Sequence, residues 1–285
     1  ERDPRRLYNA ATARQTVASD DYWVTHTVGP VRARGVGPAR TDWDFADAVA
    51  ATELPRVAHE TGQRPTFPDY DTILPAFDGP LQPWNLMRFR DRFEASGLAG
   101  QARGLVEASA RFQMVQYKAE HEAFRRTAGM AGYQLLMLND FTGQSEALVG
   151  VLDPFWRPKG VVTAEEVRRW NAPTVALARF PRFTWTTDEV FTAELVASHF
   201  GERDVPGVTA RWSLATREGE IRGAGELGPV PMPAGGITRF GSISVPLGGG
   251  AEPEALVLTV VVGEARNEWP LWAYPASASA DEPDD

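Results

Sequence analysis

The chain has 285 residues, enough for two domains at roughly 100 to 200 residues each, and carries a formal net charge of -9 with a pI near 5.1. That acidic balance, with Lys and Arg scattered along the chain, excludes the basic footprint of a nucleic-acid binder, and no run of about 18 apolar residues is present to cross a bilayer. The lack of cysteine removes disulfides, thiolate metal sites, iron–sulfur clusters and cysteine nucleophiles; it leaves the compartment undecided, with a secreted or periplasmic location favoured.

The opening Glu1-Arg2-Asp3-Pro4-Arg5-Arg6 has no apolar stretch and no cleavage pattern, so further chain is expected to precede it. Gln15 to Ser19 reads as a small strand leading into Asp20-Asp21-Tyr22-Trp23. Arg56 to Glu60, after Leu54-Pro55, reads as a short buried strand with a polar end. Helical spacing marks Trp84 to Ser96 and Ala102 to Arg126, the latter through Leu105, Ala108, Phe112 and Val115. Tyr133 to Leu138 is a second strand, opened by Gly129 and Gly132 and closed by Asn139-Asp140. Pro154, Pro158 and Gly160 break the pattern before Thr163 caps one more short helix with Glu165 and Glu166 in its first turn. Alternating strands and helices over residues 7–175 predict parallel β/α units.

From about Val175 the texture turns to period-two alternation, in Val190 to Ser198, Thr209 to Ala215, Ile237 to Val245 and Leu256 to Val262. Turn signals between these runs predict an antiparallel sandwich, with Gly248-Gly249-Gly250 as a hairpin loop and Asn267 to Pro275 as the last strand. Trp269 and Trp272 alternate as strand residues do and are expected to pack rather than bind a ligand. The small, acidic residues Ala276 to Asp285 are expected to be a disordered tail.

A carboxylate at the C-terminal end of a β/α strand points into the mouth where such folds do chemistry, which singles out Glu60. Its neighbours His59, Thr61, Gly62 and Gln63 are small or polar and leave room for a ligand; a surface glutamate in a loop is the competing reading. Asn139 and Asp140 end the next strand and offer groups for hydroxyl recognition, unless Asp140 only caps the following turn. Tyr22 and Trp23 would bring a phenol and an indole to a third strand end, the phenol helping to keep a nucleophilic carboxylate ionised, unless Trp23 is core and Asp20-Asp21 a turn. The four histidines show no paired ligand spacing, and neither a Gly-x-Ser-x-Gly elbow nor a phosphate-binding loop occurs. The expectation is therefore no metal and no cofactor, and neither Ser-His-Asp hydrolysis nor phosphoryl transfer has support.

Taken together, Val57-Ala58-His59-Glu60-Thr61-Gly62-Gln63, then Tyr133 through Gln144, then Ala147 through Trp156 and Pro158-Lys159-Gly160, resemble the C-terminal half of glycoside hydrolase family 2 enzymes, most of all a β-galactosidase-like branch. The likeness runs from about residue 3 to residue 275. It implies residues 1–175 as the C-terminal half of a (β/α)8 barrel, strands five to eight, followed by an immunoglobulin-like β-sandwich over 176–275 and the tail at 276–285. It further implies Glu60 as the nucleophile of a retaining, exo-acting glycosidase, with His59, Tyr22, Trp23, Gln63, Asn139 and Asp140 around the carbohydrate. The Asn-Glu pair that carries the family's acid/base group has no counterpart in this sequence. The resemblance thus implies a partner, the N-terminal half of the same enzyme or a complementary subunit, without which a half barrel exposes strand edges and apolar helix faces. A non-catalytic carbohydrate-binding or structural subunit is the rival reading, and β-glucuronidase or arabinosidase specificity a third.

Overall fold

The computed structural model describes residues 3–12, 15–27, 38–142 and 147–276. Gly143 and Gln144 of the strand-end motif, and residues 277–285 of the expected tail, lie outside the described residues. The chain divides into two units, one of residues 1–34, 45–124 and 129–167, the other of residues 35–44, 125–128 and 168–285.

The first unit is built on three parallel strands in the order β1 (Trp23–Thr25), β2 (Arg56–Thr61) and β3 (Met130–Leu135). The connection from β1 to β2 holds α1 (Ala46–Ala50). That from β2 to β3 holds α2 (Tyr70–Ile73), α3 (Trp84–Ala95) and the 25-residue α4 (Ala102–Arg126). The register pairs Trp23 with Arg56 and Thr25 with Ala58 across β1 and β2, and Ala58 with Tyr133 and Thr61 with Leu135 across β2 and β3. Beyond β3, α5 (Ala164–Arg168) opens with the cap its sequence calls for: the Glu166 amide donates to Thr163 Oγ1, and Glu166 Oε2 accepts from the Thr163 amide at 2.7 Å.

Two expectations are corrected here. Gln15 to Ser19 forms no strand, because Val17 is its only large apolar residue and is itself exposed. Instead the Asp20 carboxylate accepts from the amides of Ala10 and Val17 and folds the segment into a turn, so the strand starts later, at Trp23. The described residues of the first unit accordingly form a sheet of three parallel strands where four were expected, and no closed barrel.

Helix α4 also buries a different face from the one its apolar spacing suggests. Phe112 and Val115 are exposed, while Ala110, Gln113, Tyr117, Glu120, His121 and Phe124 are buried. Those buried positions recur at intervals of three and four and so share one side of the helix. Phe124 stacks between Phe45 at 5.1 Å and Tyr133 at 5.4 Å, a contribution of about 2 to 3 kcal/mol for the buried ring.

The second unit packs two sheets. One has the order β4 (Thr174–Arg179), β6 (Val190–His199), β9 (Gly236–Pro246); the other has the order β5 (Thr184–Thr186), β11 (Ala265–Tyr274), β10 (Glu254–Val262), β7 (Val205–Thr216), β8 (Ile221–Met232). All pairings are antiparallel except β5 with β11. Period-two alternation drives this assembly: in β10, Leu256, Leu258, Val260 and Val262 face inward, and in β11, Trp269, Leu271 and Ala273 meet them. Trp269 is buried in this core, edge-on to Phe180, as expected of a packing residue. The glycine run is not a hairpin, since β9 and β10 belong to different sheets and residues 247–253 cross between them. The chain is mixed α and β, with most of its regular structure in sheets.

Candidate functional site

Glu60 stands near the C-terminal end of β2, the middle strand of the parallel sheet. It is one of two non-glycine residues with positive φ among the described residues, at +52°, a left-handed conformation that costs a residue with a Cβ about 1 kcal/mol or more. The surroundings fix that conformation. Thr61 Oγ1 donates to the Gln134 carbonyl at 3.1 Å, so the hydroxyl proton is spent there and the 3.2 Å contact with His121 has the imidazole Nε2–H as donor. Gly62 N–H donates to the carboxylate of Glu120 at 3.0 Å, and the Tyr117 hydroxyl reaches the carbonyls of Gly62 and Val149. Leu136 N–H completes the turn on the Thr61 carbonyl.

Tyr117, Glu120 and His121 therefore reach up from one face of α4 and hold Thr61 and Gly62, the residues directly after Glu60. All three are at most 2% exposed. Burial pushes the His121 imidazole down to about 3, which keeps it neutral, and burial raises the Tyr117 phenol, which keeps its proton available to the two carbonyls.

Above this mount the Glu60 side chain is 38% exposed, with three polar neighbours. His26 Nε2 lies 3.4 Å from Glu60 Oε2 and His59 Nε2 lies 3.6 Å from Glu60 Oε1. The Gln63 amide donates to Glu60 Oε2 at 3.3 Å and to the Glu60 carbonyl at 3.2 Å. His59 Nδ1 is 3.1 Å from Gln134 Oε1, and the two imidazole centroids are 4.8 Å apart. This leaves a part-exposed carboxylate with two imidazole nitrogens directed at it, an arrangement suited to holding a charged or polar ligand atom.

Of the residues singled out in the sequence, the structure brings Glu60, His59 and Gln63 together. Tyr22 and Trp23 are elsewhere: Trp23 pairs with Arg56 at the start of the strands, so Tyr22 sits about 16 Å of strand rise from Glu60. Trp23 lies under the Arg56 guanidinium at 4.4 Å instead. Asp140 is 2% exposed, pairs with Lys159 Nζ at 2.9 Å and accepts from Gly150 N–H, which is the cap-and-turn reading of this residue. Asn139 turns its amide back to the Asp140 carbonyl and bridges to Leu152. Neither shares a hydrogen bond with Glu60 among the described residues.

His26 is the member that sequence spacing missed. It follows β1 by one residue, and the parallel register that sets Thr25 beside Ala58 carries His26 to the level of His59. A separate open cleft of about 720 Å³, lined by Asp69, Arg90, Arg103, Arg111 and Lys159 among others, contains no member of this cluster. Its lining charges are of both signs, so the chemistry is better sought at Glu60.

A family profile described as Domain of unknown function (DUF8488) matches residues 189–275, within the second unit. No curated protein matches the chain. Among solved structures, a variant of the exo-chitosanase CsxA of Amycolatopsis orientalis in complex with PNP-beta-D-glucosamine is similar over 61% of this chain and 20% of its own, at 14% identity and a TM-score of 0.39. A β-glucosidase of Erythrobacter marinus overlaps 35% of this chain and 15% of its own, at 12% identity and a TM-score of 0.27. The CARDB domain of the PF1109 protein from Pyrococcus furiosus, in complex with di-metal ions, overlaps 36% of this chain and 94% of its own, at 10% identity and a TM-score of 0.28. The chain spans about a fifth of the length of the exo-chitosanase, and its similarity to that enzyme is weak and partial.

Proposed function

We propose that the chain carries the nucleophile side of a retaining, β-galactosidase-like glycoside hydrolase acting at the ends of carbohydrate chains, with Glu60 attacking the anomeric carbon. The observation that carries this reading is the placement of Glu60: a part-exposed carboxylate at the C-terminal end of a parallel strand, in a left-handed conformation held by three buried side chains. Backbone strain maintained by that much surrounding structure is a mark of functional positions.

Retention needs a second carboxyl group about 5 to 5.5 Å away to protonate the leaving oxygen. In this reading that group belongs to the N-terminal half of the enzyme or to a complementary subunit, and the exposed Phe112 and Val115 on α4 are apolar surface for such a partner to cover. His59 and Gln63 then fix the carboxylate and meet the sugar hydroxyls, while Asp140 and Lys159 serve the scaffold.

The test is a mechanism-based fluoroglycoside, which lets the nucleophile attack but slows hydrolysis of the ester. Incubated with the protein in its native association, it should leave one glycosyl adduct on the peptide containing Glu60, and Glu60→Gln should abolish labelling. Hydrolysis with inversion of anomeric configuration, or an adduct on another residue, would overturn the assignment.

A further inference from the structure

We propose that His26, His59 and Glu60 form a binding site for a divalent transition-metal ion of the zinc class, and that an ion held there and nucleophilic use of Glu60 exclude each other. The exclusion rests on the reading of Glu60 as nucleophile; the binding does not.

The donor set is two imidazole nitrogens and a carboxylate, the ligand types zinc and its neighbours prefer, and its donor atoms all lie within 4.8 Å of one another. Bonds of about 2.0 to 2.1 Å in a tetrahedral site put neighbouring donors roughly 3.3 to 3.4 Å apart. The nearest imidazole-to-carboxylate distances, 3.4 Å from His26 Nε2 to Glu60 Oε2 and 3.6 Å from His59 Nε2 to Glu60 Oε1, approach that edge, each to a different carboxylate oxygen. Side-chain rotations that bring the donors from within 4.8 Å of one another to that edge give a three-ligand site with a fourth position open.

The orientation of His59 points the same way. Gln134 Oε1 can only accept, so Nδ1 of His59 carries a proton, and in the neutral imidazole Nε2 then presents its lone pair to Glu60 Oε1. Two electron-pair donors facing each other at 3.6 Å repel unless a proton or a cation lies between them. An oxygen acceptor that receives the far N–H of an imidazole, here the Gln134 side-chain carbonyl, fixes the tautomer and ring plane as the outer partners of metal-binding histidines do. The three side chains are 31%, 18% and 38% exposed, open enough for an ion to enter. Their mount does not depend on them, because α4 grips the Thr61 hydroxyl and the Gly62 backbone instead.

Calorimetric titration of the purified protein with Zn2+, and the visible spectrum of Co2+ added in its place, test the site directly. One ion per chain is expected, with a tetrahedral or five-coordinate Co2+ spectrum. His26→Ala and His59→Ala should each abolish saturable binding, and Gln134→Leu, which leaves all three ligands, should weaken it by about 10- to 100-fold. No saturable binding, or binding unchanged in the His26→Ala/His59→Ala double variant, would overturn the proposal. Circular dichroism of each variant separates lost ligands from lost fold. The two readings of Glu60 fail separately: Zn2+ binding without fluoroglycoside labelling removes the nucleophile and keeps the ion, labelling without Zn2+ binding does the reverse, and Zn2+ that binds without slowing labelling overturns the exclusion.

Discussion

Replacing Gly62 by alanine probes the grip of α4 on the turn after Glu60. Gly62 has φ +76°, and a Cβ built on it would lie 2.7 Å from Leu135 Cδ1 and 2.9 Å from Tyr117 Cζ. Leu135 can turn its terminal methyl aside. Tyr117 cannot follow so easily, because its ring is fully buried and its hydroxyl is committed to the carbonyls of Gly62 and Val149. The left-handed backbone costs about 1 to 2 kcal/mol, and forcing a methyl into a filled space adds about 1 to 3 kcal/mol. A loss of about 2 to 5 kcal/mol is therefore expected, read as a lower urea midpoint at unchanged slope. Gly97 is the internal control: its φ is +77° and nothing lies within 4 Å of a Cβ there, so Gly97→Ala should lose only the backbone part, about 1 to 2 kcal/mol. Equal losses in the two variants would refute the packing argument and leave α4 no special hold on the turn.

The buried pair of Asp140 and Lys159 should behave as ions that are costly to separate. Desolvation raises the Asp140 carboxyl and lowers the Lys159 amine despite their mutual attraction, so Lys159→Met alone should destabilise by about 3 to 5 kcal/mol, while Asp140→Leu with Lys159→Met should cost less than the sum of the singles in a double-mutant cycle. His121 gives a pH dependence of definite sign. Its folded value of about 3 lies below the 6.5 of an unperturbed imidazole, so the native state disfavours its proton. The stability associated with neutral His121 is complete above about pH 6.5 and is lost by about 1.4 kcal/mol per pH unit as the pH falls towards 3. His121→Gln should flatten that limb of a stability-versus-pH curve, and a slope unchanged by the substitution would mean that other groups set it.

What could be read from the sequence follows from which interactions are local. The strand ending at Glu60, the helix limits of α3 and α4, and the sandwich strands with strict alternation depend on short-range spacing, and the structure places them within a few residues of where that spacing puts them. β1 was displaced because three residues are too few to show a period, and because the Asp20 turn that sets its start acts through a side chain. The buried face of α4 escapes apolar spacing for a related reason: Gln113, Tyr117, Glu120 and His121 are buried to satisfy polar groups on other segments, which that spacing does not register. β8 was hidden by its glycines, prolines and largely solvent-facing residues. His26 needed the parallel register of β1 on β2, since it lies far along the chain from His59.

The contacts that α4 makes with the turn after Glu60 end on the Thr61 hydroxyl or on backbone atoms of Gly62; none of them ends on the Glu60 carboxylate. Mount and tip are thus separable. Position 60 can be rewritten, to a glutamine, a cysteine for attaching a probe, or a different ligand for an ion, while the left-handed bend that aims it is supplied by a helix about sixty residues further along the chain.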